Sequence, residues 1–190
     1  MKVGLYFGSF NPVHNGHLII ANHLLQNTDL DQVWFVVSPQ NPFKPSSTLL
    51  NEYHRLHLVQ IAIESVPQMQ ACDIEFRLPK PSYTADTLAY LIDKYPHHEF
   101  TIVMGSDSYQ NLPRWKNSEY IINNYQVYIY IRPNFPVEHL YKANHQIVHA
   151  PHLDISATFI REAIQKNHSI QFLVPDAVWK EIETNRYYKK

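Results

Sequence analysis

The stretch Lys2-Val3-Gly4-Leu5-Tyr6-Phe7-Gly8-Ser9-Phe10-Asn11-Pro12-Val13-His14-Asn15-Gly16-His17 decides the fold. Residues 2–7 form the apolar run of a buried strand. Beyond it Leu18, Ile19, Ala21, Leu24 and Leu25 recur at helical spacing, which predicts a helix over 17–26. Strand, glycine-bearing loop and helix in direct succession open a βαβ unit. The alternation continues along the chain. Val33-Trp34-Phe35-Val36-Val37, Phe100-Thr101-Ile102-Val103-Met104 and residues 127–131 read as further buried strands, residues 69–77 as extended, and Ile147-Val148 as an edge pairing. Helices are predicted over 51–66, over 83–95 with Thr84 as candidate N-cap, over 118–124, and over 157–166 capped by Ser156. A last helix is expected to carry Pro175 in its first turn and to end near residue 185.

This pattern predicts an α/β protein, a Rossmann-like doubly wound and mostly parallel sheet with helices on both faces. Ligands of such sheets bind beyond the carboxyl ends of the strands, near the point where strand order reverses. Chemistry is therefore expected in the loops after Phe7, Val37, Met104 and Ile131.

Composition narrows the function classes. The 190 residues suit one domain, 1–190, and 45% apolar residues can fill its core. The formal net charge is −1 and the only cationic doublet is Lys189-Lys190, so the basic stripe of a nucleic-acid binder is missing. No apolar stretch approaches the ~20 residues of a membrane helix, and the run 3–7 is too short for a signal-peptide core. One cysteine, Cys72, excludes a disulfide scaffold. The expectation is a cytoplasmic protein acting on small molecules, with no nucleic acid and no membrane as partner; a homo-oligomer is left open. Glycine is scarce: four residues, where ~7% usage would give about 13. Three of them, Gly4, Gly8 and Gly16, fall in the opening stretch, and the fourth is Gly105.

The loop Gly8–His17 meets the geometry in which free N–H groups and a helix dipole accept phosphate, yet it is neither a P-loop nor a GxGxxG fingerprint. It offers two imidazoles, His14 and His17, with Gly16 between them. A histidine at a helix N-terminus has its charged form disfavoured by the dipole until a polyanion arrives. A strand–helix turn with incidental histidines would read the same. Near the other end, Ile155-Ser156-Ala157-Thr158-Phe159-Ile160-Arg161 combines capping hydroxyls, free N–H groups and a guanidinium, the parts of a phosphate clamp. A capped surface helix with an ordinary arginine has the same pattern.

Together the two elements resemble the HxGH and ISxTxIR signatures of the nucleotidyltransferase α/β phosphodiesterase superfamily. Ser38-Pro39-Gln40-Asn41-Pro42-Phe43-Lys44, Pro81-Ser82-Tyr83-Thr84-Ala85-Asp86-Thr87-Leu88 and Gly105-Ser106-Asp107 with Trp115-Lys116 are similar to segments of its bacterial nicotinate-nucleotide adenylyltransferase branch. The resemblance covers essentially the whole chain. It departs from the family at Phe7, Ser9, Asn11, Phe43 and Ala157, where the family often has Gly, Thr, Asp, His and Ser.

The resemblance implies a nucleotidyltransferase-type fold and adenylyl transfer from ATP to nicotinate mononucleotide, giving nicotinate adenine dinucleotide and pyrophosphate in NAD biosynthesis. It implies direct in-line attack of the acceptor 5′-phosphate on the α-phosphorus. His14 and His17 would hold α/β-phosphate oxygens, and Arg161 with Ser156 the departing phosphates, beside Thr158. Gly8, Ser9, Phe10 and Gly16 would lie along ATP, with Gly105 and Asp107 near its ribose and adenine. Lys44, Thr84 and Trp115 would receive the mononucleotide. Mg²⁺ would come with ATP, bridging phosphates, and no protein metal ligand is assigned. Nicotinamide-mononucleotide and pantetheine-phosphate adenylyltransferases share both end motifs, and a catalytically silent nucleotide-binding module on this fold is the rival from another class. Two further features read as ordinary structure. His54 and His57 belong to a solvated helix face without metal-ligand company, and Cys72 is a small apolar filler.

Overall fold

Residues 1–40, 49–151 and 153–189 are described by a computed structural model. Six strands form one sheet: β1 (Lys2–Gly8), β2 (Gln32–Val37), β3 (Met69–Cys72), β4 (Glu99–Gly105), β5 (Gln126–Tyr130) and β6 (His145–Val148). Every pairing is parallel and the spatial order is β3-β2-β1-β4-β5-β6. That is the doubly wound order, with its reversal between β1 and β4. The crevice beyond Gly8 and Gly105 is thus the expected ligand position.

Period-two alternation explains why the strands are apolar on both faces. On one face Tyr6, Val33, Phe35, Val37, Val103 and Tyr128 pack under helices α1 (Asn15–Asn27) and α2 (Glu52–Ile63). Joining them there are two helices, α6 (Ala157–Gln165) and α7 (Asp176–Asn185), through Ile160, Ile164, Val178 and Ile182. On the other face Leu5, Trp34, Val36, Ile102 and Ile129 pack against α3 (Thr84–Lys94), α4 (Ser106–Gln110) and α5 (Ser118–Asn124), through Leu88, Leu91, Tyr109 and Ile121. No helix among the described residues is long and apolar enough to cross a membrane.

Three local expectations are corrected. Residues 69–77 are not one extended segment: β3 ends at Cys72 and a 3-10 turn follows over Ile74–Arg77. Thr84 is not an N-cap. Tyr83 holds that position without a side-chain bond and Thr84 is the first helical residue. The hydroxyls that bond at this helix start are those of Ser82 and Thr87, and they donate to a buried carboxylate rather than cap the helix. Pro175 likewise stands just outside α7, at its N-cap. Ser156 does cap α6, its Oγ accepting from the Phe159 N–H at 3.1 Å.

Candidate active site

The β1–α1 loop is held to the core by its own Phe10. This residue adopts a positive φ of 44°, costly backbone for a bulky side chain. Its ring is 2% exposed and meets Tyr6, Phe35 and His17 at centroid distances of 5.7, 5.4 and 5.1 Å. A Cβ on Gly8 would lie 2.8 Å from that ring, so the close fold of the loop needs glycine there. Phe10 can therefore meet a nucleotide only through its main chain.

From below, the loop is gripped by Arg55 of α2. This guanidinium is fully buried and donates to four carbonyls: Nε to Leu50 O at 2.8 Å, Nη1 to Ser9 O at 2.5 Å and to Ser38 O at 2.8 Å, and Nη2 to Pro39 O at 3.0 Å. It ties the loop after β1 to the loop after β2. Among the described residues no carboxylate pairs with it. Burial lowers its pKa from the usual arginine range.

His14 and His17 come together as stacked rings, centroids 3.6 Å apart. A Cβ on Gly16 would crowd the His14 ring at 3.1 Å. The His14 main-chain N–H donates to His17 Nδ1 at 3.2 Å, so a neutral His17 ring carries its proton on Nε2. Desolvation, helped by the Arg132 cation, pushes His14 down to about 4. His14 Nδ1 and Ser9 Oγ are both buried without a hydrogen-bond partner among the described residues. Such unmet groups inside a loop of this kind suit an incoming polyanion.

The two end motifs do meet. Arg161 donates from Nη1 to Asn11 O at 2.8 Å and from Nη2 to Thr158 Oγ1 at 3.2 Å, across 150 positions of sequence in the first case. Ser156 lines one cavity with His14, Gly16 and His17, and Tyr6, Tyr130, Arg132 and Ile155 are among its other walls. Arg161 and Thr158 line neither this cavity nor the next; in this state the guanidinium braces the loop from the side.

The neighbouring cavity shares Tyr130 and is walled by Gly8, Ser38, Glu75, Ser82, Tyr83, Thr84, Gly105, Trp115 and Lys116. Thr84 and Trp115 thus line one cavity, and Gly105 joins them rather than the histidines. Trp115 is half-buried against the Leu88–Ile102 core. Lys116 Nζ pairs with Asp86 at 2.9 Å and sits 4.9 Å above the Tyr83 ring. Asp107 contacts Arg132, Oδ1 to Nε 3.4 Å. Lys44 and Phe43 lie outside the described residues.

A model of the cytidylyltransferase-like family matches residues 5–163. A protein of Flavobacterium psychrophilum is 53% identical over all of both chains, and one of Flavobacterium johnsoniae is 48% identical, again over all of both. Both bear the name "probable nicotinate-nucleotide adenylyltransferase". This chain belongs to that family. The fold agrees: the Plasmodium falciparum nicotinic acid mononucleotide adenylyltransferase, solved with NaAD, superposes with a TM-score of 0.83 at 19% identity, covering 98% of this chain and 97% of that one. Sequence reading missed Arg132 and Glu75, which line the cavities, and Arg55, which grips the loops beside them. Arg132 stands one residue past Ile131, in a loop the strand pattern had already marked. Arg55 shares a helical face with Leu58 and Val59, a signal available at spacings of three and four. Glu75 gave no signal, because it falls in the segment read as extended.

The remaining candidates are structural. From α2, His57 Nε2 lies 3.5 Å from Glu181 of α7, and His54 Nδ1 lies 2.9 Å from the hydroxyl of Tyr187 just beyond that helix. Burial raises the Cys72 thiol to about 11, which keeps it inert at neutral pH.

Proposed function

We propose that this protein, as one domain over 1–190, transfers the adenylyl group of ATP to nicotinate mononucleotide in NAD biosynthesis. An oxygen of the acceptor 5′-phosphate bonds to the α-phosphorus, the α,β-bridging P–O bond breaks opposite it, and pyrophosphate leaves. The observation that carries the reading is the pair of cavities meeting at Tyr130, beyond the carboxyl ends of β1 and β4: one holds the histidines and Arg132, the other Thr84, Trp115 and Lys116. Two polyanions seated side by side need little covalent help from the protein. Positioning alone is worth roughly 7–11 kcal/mol, and fixed donors stabilise the charge that develops.

In this reading the two histidines hold α/β-phosphate oxygens, His17 through Nε2–H and His14 by taking up a proton as the polyanion enters. Arg161, with N–H donors beyond those given to Asn11 and Thr158, and Ser156 at the start of α6 receive the departing phosphates. Gly8, Ser9 and Phe10 offer main chain to the nucleotide; Gly105 and Asp107 border its ribose. On the acceptor side the pyridine ring stacks on Trp115 and the carboxylate meets the N–H groups opening α3, at Thr84, with Lys44 toward the phosphate. Among the described residues no three His, Cys, Asp or Glu side chains cluster as a metal cage. Mg²⁺ would come with ATP and supply charge neutralisation at its phosphates, with no protein side chain assigned to it.

The deciding experiment is pyrophosphate release with ATP and, in parallel, nicotinate mononucleotide, nicotinamide mononucleotide and phosphopantetheine. Nicotinate mononucleotide should exceed the nicotinamide form by roughly tenfold to several thousandfold in kcat/KM, since a carboxamide forfeits the dipole and leaves hydrogen bonds unmade. Equal kcat/KM for the two would overturn the acceptor assignment.

A further inference from the structure

Glu75 is a buried carboxylate to which adenylyl transfer assigns no role. It is 2% exposed and forms no ion pair among the described residues. Its two oxygens are instead occupied by hydroxyls: Ser82 Oγ donates to Oε2 at 2.6 Å and Thr87 Oγ1 to Oε1 at 2.9 Å, with the Ser38 side chain as a further hydrogen-bond partner from the loop after β2. Both hydroxyl residues are buried too, Ser82 at 7% and Thr87 at 0% exposure. The pattern is specific in position. Ser82 stands one residue before the N-cap Tyr83 of α3, and Thr87 is the fourth helical residue. In many helices an apolar pair at those two places packs together and fixes the angle at which the chain enters the helix. Here a carboxylate bridges them instead.

The bridge matters because no side chain caps α3: the other contacts at its start are the exposed Lys116–Asp86 pair and the Thr87 hydroxyl 3.2 Å from Tyr83 O. Tyr83 makes no side-chain cap bond. The N–H groups of Thr84 and Ala85, at the first two positions, have no acceptor within the helix. Glu75, Ser82, Tyr83 and Thr84 line the same cavity as Trp115. The direction of those N–H groups relative to the Trp115 ring is therefore set by how Ser82 and Thr87 are gripped. A carboxylate accepts two hydroxyl protons at once, whereas a carboxamide of the same shape has one acceptor oxygen and must reverse the other bond, turning a hydroxyl such as that of Thr87 toward Tyr83 O.

We propose that Glu75 is a positioning residue for the acceptor, a polar staple that holds the first turn of α3 at the angle needed to receive the mononucleotide's pyridine substituent. This rests on the acceptor side of the function proposed above. Burial raises the carboxyl pKa, opposed by the hydroxyl donors; the geometry of the grip carries the inference.

The experiment is steady-state pyrophosphate release by the full chain, varying each substrate in turn, beside thermal unfolding. Glu75→Gln should raise KM for nicotinate mononucleotide about tenfold, the scale of one misplaced hydrogen bond, with KM for ATP within about twofold. Ser82→Ala should do the same in the same direction, and the double variant should be little worse than either alone, since both cut one bridge. Thr87→Val should repeat the effect while Thr87→Ser restores it, which keeps the proposal falsifiable where Glu75→Gln fails to fold. A parallel rise in both KM values, or no rise in a folded variant, overturns the proposal. Where wild type prefers another mononucleotide, the acceptor reading fails by itself and the KM split is read on the acceptor used.

Discussion

Replacing Arg55 by Met tests whether the loops around both cavities depend on one buried cation. Methionine keeps the apolar stem and removes the guanidinium, leaving the carbonyls of Leu50, Ser9, Ser38 and Pro39 without their donor. Each orphaned buried acceptor costs ~1–3 kcal/mol, so four give roughly 4–12 kcal/mol as a ceiling. Against that, the variant no longer has to desolvate a cation, a recovery of several kcal/mol. The net loss works out at about 3–5 kcal/mol once the recovered desolvation is set against the orphaned carbonyls. For a chain of 190 residues, at ~2–4 °C per kcal/mol, that is a fall in Tm of roughly 6–20 °C. Arg55→Lys should recover less than half, because three donors on a point charge cannot span the carbonyls a planar fork reaches. Urea and thermal unfolding measure the loss. Pyrophosphate release below the new Tm should also fall, since Ser9 O and Ser38 O belong to the loops that border the substrates. A Met variant within about 2 °C of wild type would refute the claim that this cation holds the two loops together.

Three further outcomes are expected. Arg161→Ala should slow turnover by at least ~10²-fold and Arg161→Lys should recover only part, because a single preorganised charge is lost and Lys lacks the fork; near wild-type kcat in the Ala variant removes Arg161 from the reaction. Trp115→Ala should raise KM for either mononucleotide while ATP binding, measured by calorimetry, stays nearly unchanged; equal weakening of ATP would move Trp115 out of the acceptor side. His14 sits at about 4 when folded against 6.5 ordinarily, so between those values the unfolded chain binds more protons and stability falls as pH drops from 6.5 toward 4. ATP binding near pH 5.5 should accordingly take up a proton at His14, seen by calorimetry in buffers of different ionisation enthalpy; uptake that persists unchanged in His14→Gln would assign it elsewhere.

By itself the sequence determined the strands of the sheet and marked the loops in which ligands are expected. Apolar runs such as 33–37 and 100–104 are local patterns, and a strand buried on both faces can be recognised without knowing its neighbours. The paired histidines and the Ser156–Arg161 segment were legible for the same reason, being contiguous and next to helix starts. What the sequence could not supply is pairing at a distance. Arg161 reaches Asn11 across 150 positions, and Glu75 reaches Ser82 and Thr87 only because the chain turns after Cys72 instead of extending. Hydroxyls and lone charges look alike in a sequence whether they face water or one another; burial alone makes an unmet polar group expensive, and burial is a property of the packed chain. Tertiary structure therefore decided that Phe10 points into the core, that Thr84 begins α3 without capping it, and that Arg55 and Glu75 hold the walls of the two cavities.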